Sequence, residues 1–461
     1  MPTGFSSFTD AIDRSPLSSF QKRTIAFCFA IGLLDGLDAL TFGNLVPAIS
    51  KDWGVGAGSL SLSITAGLVG MIVGGMAFGP VADRSGRRIM VMAGILVFGV
   101  TTIGLAMVQS LEMLVLLRFI AGLGLGVVGP TVISIASEFA PTRSKATVVM
   151  LITSSLAVGG FLGGLVAGLI IPAFGWRSVF LLGGIVPLIL FVFTFRLLPE
   201  SIGFLAATGR TERALAMLAR MKIEADFVPT PAEPSPATTK SKTPVVELFR
   251  EGRAVGTILL WIVYFCGLLF TYFVFSWMPT LLSAAGIEQQ VAIFATSLAT
   301  LGCVIGQVAL GVLVDRRNKD YRVLVVAFGI GAVLFALLTG VVANLWLMLL
   351  VVFLIGFTAI GSQAAVNTVT SAMYPVSARS TGLGWAYGLG RLGSVAGPAL
   401  GGMLISAGVN ATKIFLMLVV PALLAAAALA GVPRSLRRAG ARQEAPASPG
   451  SVHERDLTYE E

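Results

Sequence analysis

Asp35 and Asp38 lie inside an apolar run from Ile25 to Ile49 that is long enough to cross a bilayer. A carboxylate near the middle of a membrane helix costs about 2.5 to 3.5 kcal/mol on insertion scales, so it is retained for a task. The first tasks to consider are holding a proton and contacting a substrate. Three residues apart on a helix, the two side chains project from one face, and Gly36 between them leaves a thin place where a neighbouring helix or substrate can approach. Two carboxylates this close resist being ionised together, which poises one of them to take up a proton. The plainer alternative makes one aspartate the cap of a helix break and the other the permanent partner of a cation.

Other polar residues stand in apolar runs. Arg118 carries a guanidinium that cannot practically lose its charge, so within a membrane it needs a carboxylate partner, and Asp35 or Asp38 is the natural one. Arg391 is the only cation of the second half that stands away from the ends of an expected span. It either holds a substrate carboxylate bidentately or anchors one end of its span. The run around Tyr264 and Tyr272 is rich in rings, and with Trp385 and Tyr387 it offers stacking walls for an aromatic ligand, although packing explains many such rings. Gln307, Gln363 and Asn367 are hydrogen-bonding candidates for ring hydroxyls, or for neighbouring helices. The single histidine, His453, stands in a polar tail, so any proton carrier in the membrane has to be a carboxylate. Cys28, Cys266 and Cys303 fall in apolar runs without CxxC spacing, so neither a disulfide framework, a metal site nor a cofactor is expected.

These residues need spanning helices to position them. Hydrophobic residues make up 56% of the 461, charged residues 12%, and the mean hydropathy is +0.89. That composition excludes a soluble domain and indicates a polytopic protein embedded in lipid. Apolar stretches of span length recur near 25–48, 59–80, 89–108, 113–133, 147–171 and 178–198, and again near 256–282, 291–314, 322–342, 345–367, 381–405 and 411–432. The expected fold is all-α, twelve transmembrane helices in two pseudo-symmetric six-helix bundles, 24–198 and 256–432. A leader (1–23) without a cleavable signal pattern, a Pro-rich linker (199–255) and a disordered basic tail (433–461) complete the chain. Within the linker, Thr211 to Met221 has helical propensity. Only Lys51, Arg177 and Lys413 fall on the face opposite the termini, which predicts both termini on the cytoplasmic side. The net charge of +9 then reflects topology and anionic lipid rather than nucleic acid, for which no motif appears. A monomer is expected.

Gly79-Pro-Val-Ala-Asp83-Arg84-Ser-Gly86-Arg87-Arg88 follows the second span, and Gly311-Val-Leu-Val-Asp315-Arg316-Arg317 echoes it about half a chain later. Duplicated halves are how many transporters build two rocking bundles around a central site. This loop signature resembles that of the major facilitator superfamily, over nearly the whole chain. The resemblance implies that Asp83 locks against the start of a helix in the other half, with Asp315 and Arg316 as the second-half counterparts. A helix start, with its partial positive charge and unpaired N–H groups, suits that role. Arg84, Arg87 or Arg88 is then available to pair with Glu138. Asp35-Gly36-Leu37-Asp38 resembles the signature of the aromatic acid:proton symporters, and Arg118 to Gly124 resembles the buried-arginine motif of proton-coupled members. What this implies is uptake of benzoate-type acids, such as 4-hydroxybenzoate or protocatechuate, with protons across a bacterial inner membrane. Span five lacks the Gly-Pro pair of drug-exporting antiporters. Leu198-Pro199-Glu200-Ser201 also occurs in sugar porters, but its second-half match is replaced by Val432-Pro433-Arg434-Ser435. The rivals are a drug/proton antiporter of the same fold and, from another class, a membrane sensor of aromatic acids. An enzyme is not expected, since no nucleophile/base pair or phosphate loop is present.

Overall fold

The computed structural model describes residues 11–13, 15–221, 223, 245–250, 252–316, 321–374 and 378–444. Among them there is no strand, and twelve long helices follow one another. The first half holds α1 (Ser19–Trp53), α2 (Ser61–Ser85), α3 (Arg87–Leu105), α4 (Leu111–Glu138), α5 (Thr142–Phe174) and α6 (Trp176–Leu197). The second holds α7 (Ala254–Ala284), α8 (Gln289–Arg316), α9 (Arg322–Val341), α10 (Leu345–Ser371), α11 (Arg379–Ser406) and α12 (Ala411–Val432). Eleven of these are long and apolar enough to span a bilayer. The exception, α11, is 28 residues long, and its glycines, serines and Arg391 dilute its hydropathy.

The helix ends follow local chemistry. A capping box starts α1: Ser18 Oγ accepts from the Gln21 amide at 3.3 Å, and Gln21 Oε1 accepts from the Ser18 amide at 2.8 Å. Gly54, in the left-handed region at φ 63°, ends it. Gly86, at φ 106°, makes the tight joint between α2 and α3.

Small residues bring the helices together, as lipid-embedded packing requires, and they do so in the same pairs in each half. In the first, α1 meets α5 backbone to backbone, with Gly36 against the Leu156 carbonyl and Gly159 against that of Leu33. There α2 meets α4 through Gly70, Gly74, Gly122 and Gly126. Six helices on, α7 meets α11 through Gly393 and Gly397, and α8 meets α10 through Gly302, Gly306 and Gly356. This repetition is the pseudo-symmetry that the loop echo suggested.

The halves touch at the end remote from the termini. A Cβ added to Gly43 of α1 would lie 2.2 Å from the Phe275 carbonyl of α7. Gly164 of α5 abuts Ser297 of α8, and Gly58, just before α2, abuts Gly402 and Ser406 of α11. At the opposite end, Asp83 is 71% exposed.

One expectation about the segments outside the bundles is modified. Residues 224–244, including the linker prolines, lie outside the described residues, but Thr211–Arg220 is helical with Ala214 and Leu218 buried, as its propensity suggested. Of the tail expected to be disordered, residues 433–444 have a helical backbone, with the strong helix formers Leu, Ala, Arg, Gln and Glu among them, and 445–461 lie outside the described residues.

Candidate functional site

Asp38 and Arg118 form a buried ion pair within the first half, Asp38 Oδ1 accepting from Arg118 Nη1. Arg118 is 3% exposed and Asp38 8%. The guanidinium carbon also lies 4.5 Å from the Phe42 ring centroid, a cation–π contact. Gly67 of α2 makes room for it, since a Cβ there would stand 3.0 Å from Arg118 Nη2. Of the two carboxylates offered to Arg118 by the sequence, Asp38 is the partner.

Asp35, one turn earlier on α1, is left for other work. Its Oδ1 is buried without a hydrogen-bond partner, and its Oδ2 lies beside Gly129 of α4. The charges acting on it are those of Arg391, from α11 in the other half, and Asp38. Tyr272 of α7 is buried in the same electrostatic neighbourhood, under the influence of both Asp35 and Arg391. Asp35, Arg391 and Tyr272, from both halves, thus lie within electrostatic range of one another.

Arg391 also acts on Tyr387, whose hydroxyl accepts from Asn367 Nδ2 at 2.8 Å. Asn367 Oδ1 accepts in turn from the Tyr264 hydroxyl, which lies 3.2 Å from Thr370 Oγ1. The Tyr264 and Tyr387 rings meet edge to face with centroids 5.3 Å apart. Gln363 has both amide heavy atoms buried and unpartnered, with Oε1 pressed toward Gly267 of α7. It follows a π turn, Gly356–Ile360, closed by the Gly361 amide donating to the Gly356 carbonyl at 2.8 Å. An extra residue in one helical turn re-aims the side chains beyond it, and such turns recur at functional sites. Trp385 lies elsewhere, stacked on Trp261, which in turn meets Phe249 edge to face. Gln307 donates to Cys303 Sγ of its own helix at 3.2 Å.

At the end that carries the termini, Arg87 takes Glu138. Its Nη1 donates to Glu138 Oε1 and lies 3.3 Å from Ser201 Oγ, which donates to Glu138 Oε2 at 2.6 Å. Arg88 instead donates its Nη2 to the Phe195 carbonyl at 2.6 Å, and its backbone amide donates to Glu200 Oε1 at 3.1 Å. Asp83 lies 3.8 Å from Arg87 in its own half. Arg84 and Arg316 are exposed, and the side chain of Asp315 lies outside the described residues. Glu200 and Ser201 were visible only as part of a sugar-porter resemblance; their place on the α3 and α4 ends depends on how α6 returns, which local pattern does not encode.

One further contact escaped the sequence. Pro141 precedes α5 and cannot cap it, so Asp13 does so from far along the chain: its Oδ1 accepts from the Thr142 amide and its Oδ2 from the Thr142 hydroxyl, both at 2.6 Å. Those hydrogen bonds, the hydroxyl's foremost, hold the Asp13 carboxyl below the usual aspartate value.

Comparison with known proteins places this geometry in context. A family model described as Major Facilitator Superfamily matches residues 28–339 and, in a second match, 260–454. The chain is 36% identical over 428 residues to a 4-hydroxybenzoate transporter of Pseudomonas aeruginosa, covering 91% of this chain and 94% of that one. It is 34% identical to a gallate transporter of Pseudomonas putida, covering 91% and 93%, and 30% identical to a benzoate transport protein of Acinetobacter baylyi, covering 90% of each. Among solved structures, the partially occluded inward-open xylose transporter of Escherichia coli matches with a TM-score of 0.70 at 19% identity, covering 89% of this chain and 97% of that one. An inward-facing bacterial homolog of the human lysosomal transporter Spinster matches with 0.68 at 16%, covering 91% and 98%.

Proposed function

Since the chain belongs to the Major Facilitator Superfamily, we propose that it takes up aromatic carboxylic acids, such as 4-hydroxybenzoate, protocatechuate or benzoate, together with protons. It is a multi-pass membrane transporter rather than an enzyme. The observation that carries the substrate reading is that Arg391 of the second half lies within electrostatic range of Asp35 in the first and of Tyr272, while one buried oxygen of Asp35 is unpartnered.

The chemistry follows from charge balance. A guanidinium in a low-dielectric interior needs an anion nearby at every stage. With Asp35 ionised, Asp35 serves Arg391. Once a proton neutralises Asp35, Arg391 is free to bind a substrate carboxylate through parallel N–H···O bonds. Proton and acid anion therefore enter as a neutral pair, and neither is favoured alone. Tyr264, Tyr272 and Tyr387 supply ring faces, and Gln363 and Asn367 meet ring hydroxyls. The Asp38–Arg118 pair senses the proton on Asp35 through the Asp38 charge.

The halves touch at the end remote from the termini, so this conformation opens on the terminus side, which is the cytoplasm of a bacterial inner membrane by the charge distribution. Closure there brings Asp83 onto a helix start of the second half, with Arg84, Asp315 and Arg316 at the same rim, while Arg87, Arg88 and Glu138 hold the first half's loops together. The protein works as a monomer.

Proteoliposomes with an imposed pH gradient test the reading. Labelled 4-hydroxybenzoate should accumulate when the outside is acid, and Asp35→Asn should bind the acid yet no longer concentrate it. Accumulation indifferent to the gradient, or unimpaired in Asp35→Asn, would refute it.

A further inference from the structure

A cavity of about 330 Å³ lies inside the first half, and neither Asp35 nor Arg391 lines it. Its mouth is bordered by Leu162 and Val166 of α5 and Leu182 and Val186 of α6, each between 37% and 42% exposed. On membrane-spanning helices such side chains face lipid, so the cavity opens sideways into the bilayer. Phe42 and Phe98 contribute apolar wall, and the inner end reaches the Asp38–Arg118 pair.

That inner end has polar groups with nothing to bond. Thr41 Oγ1, Thr102 Oγ1 and Arg118 Nε are all buried without a hydrogen-bond partner, and all three residues line this cavity at no more than 4% exposure. A threonine in a membrane helix ordinarily donates to a carbonyl one turn back, as Thr131 does to Val127. Thr41 and Thr102 forgo that bond, and a buried unsatisfied hydroxyl is destabilising. Both residues belong to the cavity lining, and a ligand hydroxyl has the chemistry to accept from one threonine and donate to the other. Asp38 and Arg118 already neutralise one another, so a charged ligand would bring an uncompensated charge into low dielectric. A lipid acyl chain would leave every polar atom unsatisfied. The volume is at the lower end for small-molecule sites.

We propose that this cavity is a binding site for a neutral, lipid-partitioned amphiphile with a single hydroxyl head, of the alkylphenol class. It enters between α5 and α6 and seats its hydroxyl on Thr41 and Thr102 beside the buried ion pair. The site is separate from that of the transported acid.

The test uses the full chain in lipid nanodiscs, with 4-butylphenol as the probe, butylbenzene as its hydroxyl-free counterpart, and thermal unfolding as the readout. Butylphenol should raise the unfolding temperature saturably, and butylbenzene should need at least tenfold more. Thr102→Val, which keeps the side chain's shape, should weaken butylphenol about fivefold. Leu182→Trp, which fills the mouth, should abolish the response. Saturating 4-hydroxybenzoate should leave it in place. Equal responses to the two probes would point to an apolar slot only and overturn the proposal. So would undiminished binding in both Thr102→Val and Leu182→Trp, or displacement by 4-hydroxybenzoate.

Discussion

Gly43 offers a direct way to move the balance between the two openings of this transporter. A single methyl group added there would sit 2.2 Å from the Phe275 carbonyl and 2.7 Å from Ser276 Cα, all of it backbone of the opposite half. No rotamer change relieves a clash with backbone. Restoring an ordinary contact of 3.4 Å from 2.2 Å requires α1 and α7 to part by about 1.2 Å at this point. Forced overpacking costs about 1 to 3 kcal/mol. Gly43→Ala therefore penalises only the conformation in which these helices touch, and a penalty of that size shifts the two-state ratio by about 5- to 150-fold. The assay is a distance distribution between spin labels at Ser59→Cys, in the short 3-10 helix before α2, and Ala285→Cys, in the turn after α7, both exposed at that end, since the native cysteines are buried. The longer-distance population should grow in Gly43→Ala. Gly329→Ala is the control, because its added methyl meets nothing within 4 Å. An unchanged distribution in Gly43→Ala, or the same change in Gly329→Ala, would show that the contact does not hold the closed end.

Three other outcomes follow from named contacts. Asp38→Asn strips the buried Arg118 of its counter-charge and should lower stability by about 3 to 5 kcal/mol, read as a fall in unfolding temperature, whereas Asp35→Asn removes the counter-charge of Arg391, which is only partly buried, and should lower it by less. Asp13→Ala removes the α5 cap and should cost about 1 kcal/mol at neutral pH. Because folding holds the Asp13 carboxyl below its usual value of 3.8, its stabilisation is complete above that value and fades as pH falls through the lowered one, so wild type and variant should converge in acid. Gln363→Leu should weaken uptake of 4-hydroxybenzoate about fivefold in competition experiments while sparing benzoate, which has no ring hydroxyl to lose.

The span count, the duplication and the pairing of Arg118 with an α1 carboxylate were legible because lipid imposes strong rules on sequence: long apolar runs, and no charge without a partner. Which aspartate pairs was not legible, since Asp35 and Asp38 share a face and only the position of α4 separates them. Arg87, Arg88 and Glu138 were recognisable as a group, but the division of labour depends on Glu200 and Ser201, brought close by the return of α6. Trp385 looked like a partner of Tyr264 in a ring-rich list; Trp261 claims it instead. Asp13 gave no signal, because a cap supplied from far along the chain leaves no local motif. The π turn before Gln363 is equally silent, being a matter of how α10 settles on the glycines of α8.

The contacts that fasten the first half's loops have a mechanical corollary. Asp13 grips the start of α5, Gln21 Nε2 donates to the Phe139 carbonyl at 2.8 Å, and Arg87, Glu138, Ser201 and Glu200 tie α3, α4 and the segment after α6. Every loop on that rim is stapled to another, so no helix of the first half can swing by itself. The half must tilt as one plate, with the glycine seam at Gly43 and Gly164 as its fulcrum, and a shortened N-terminus lacking Asp13 would loosen the plate long before it touched the cargo.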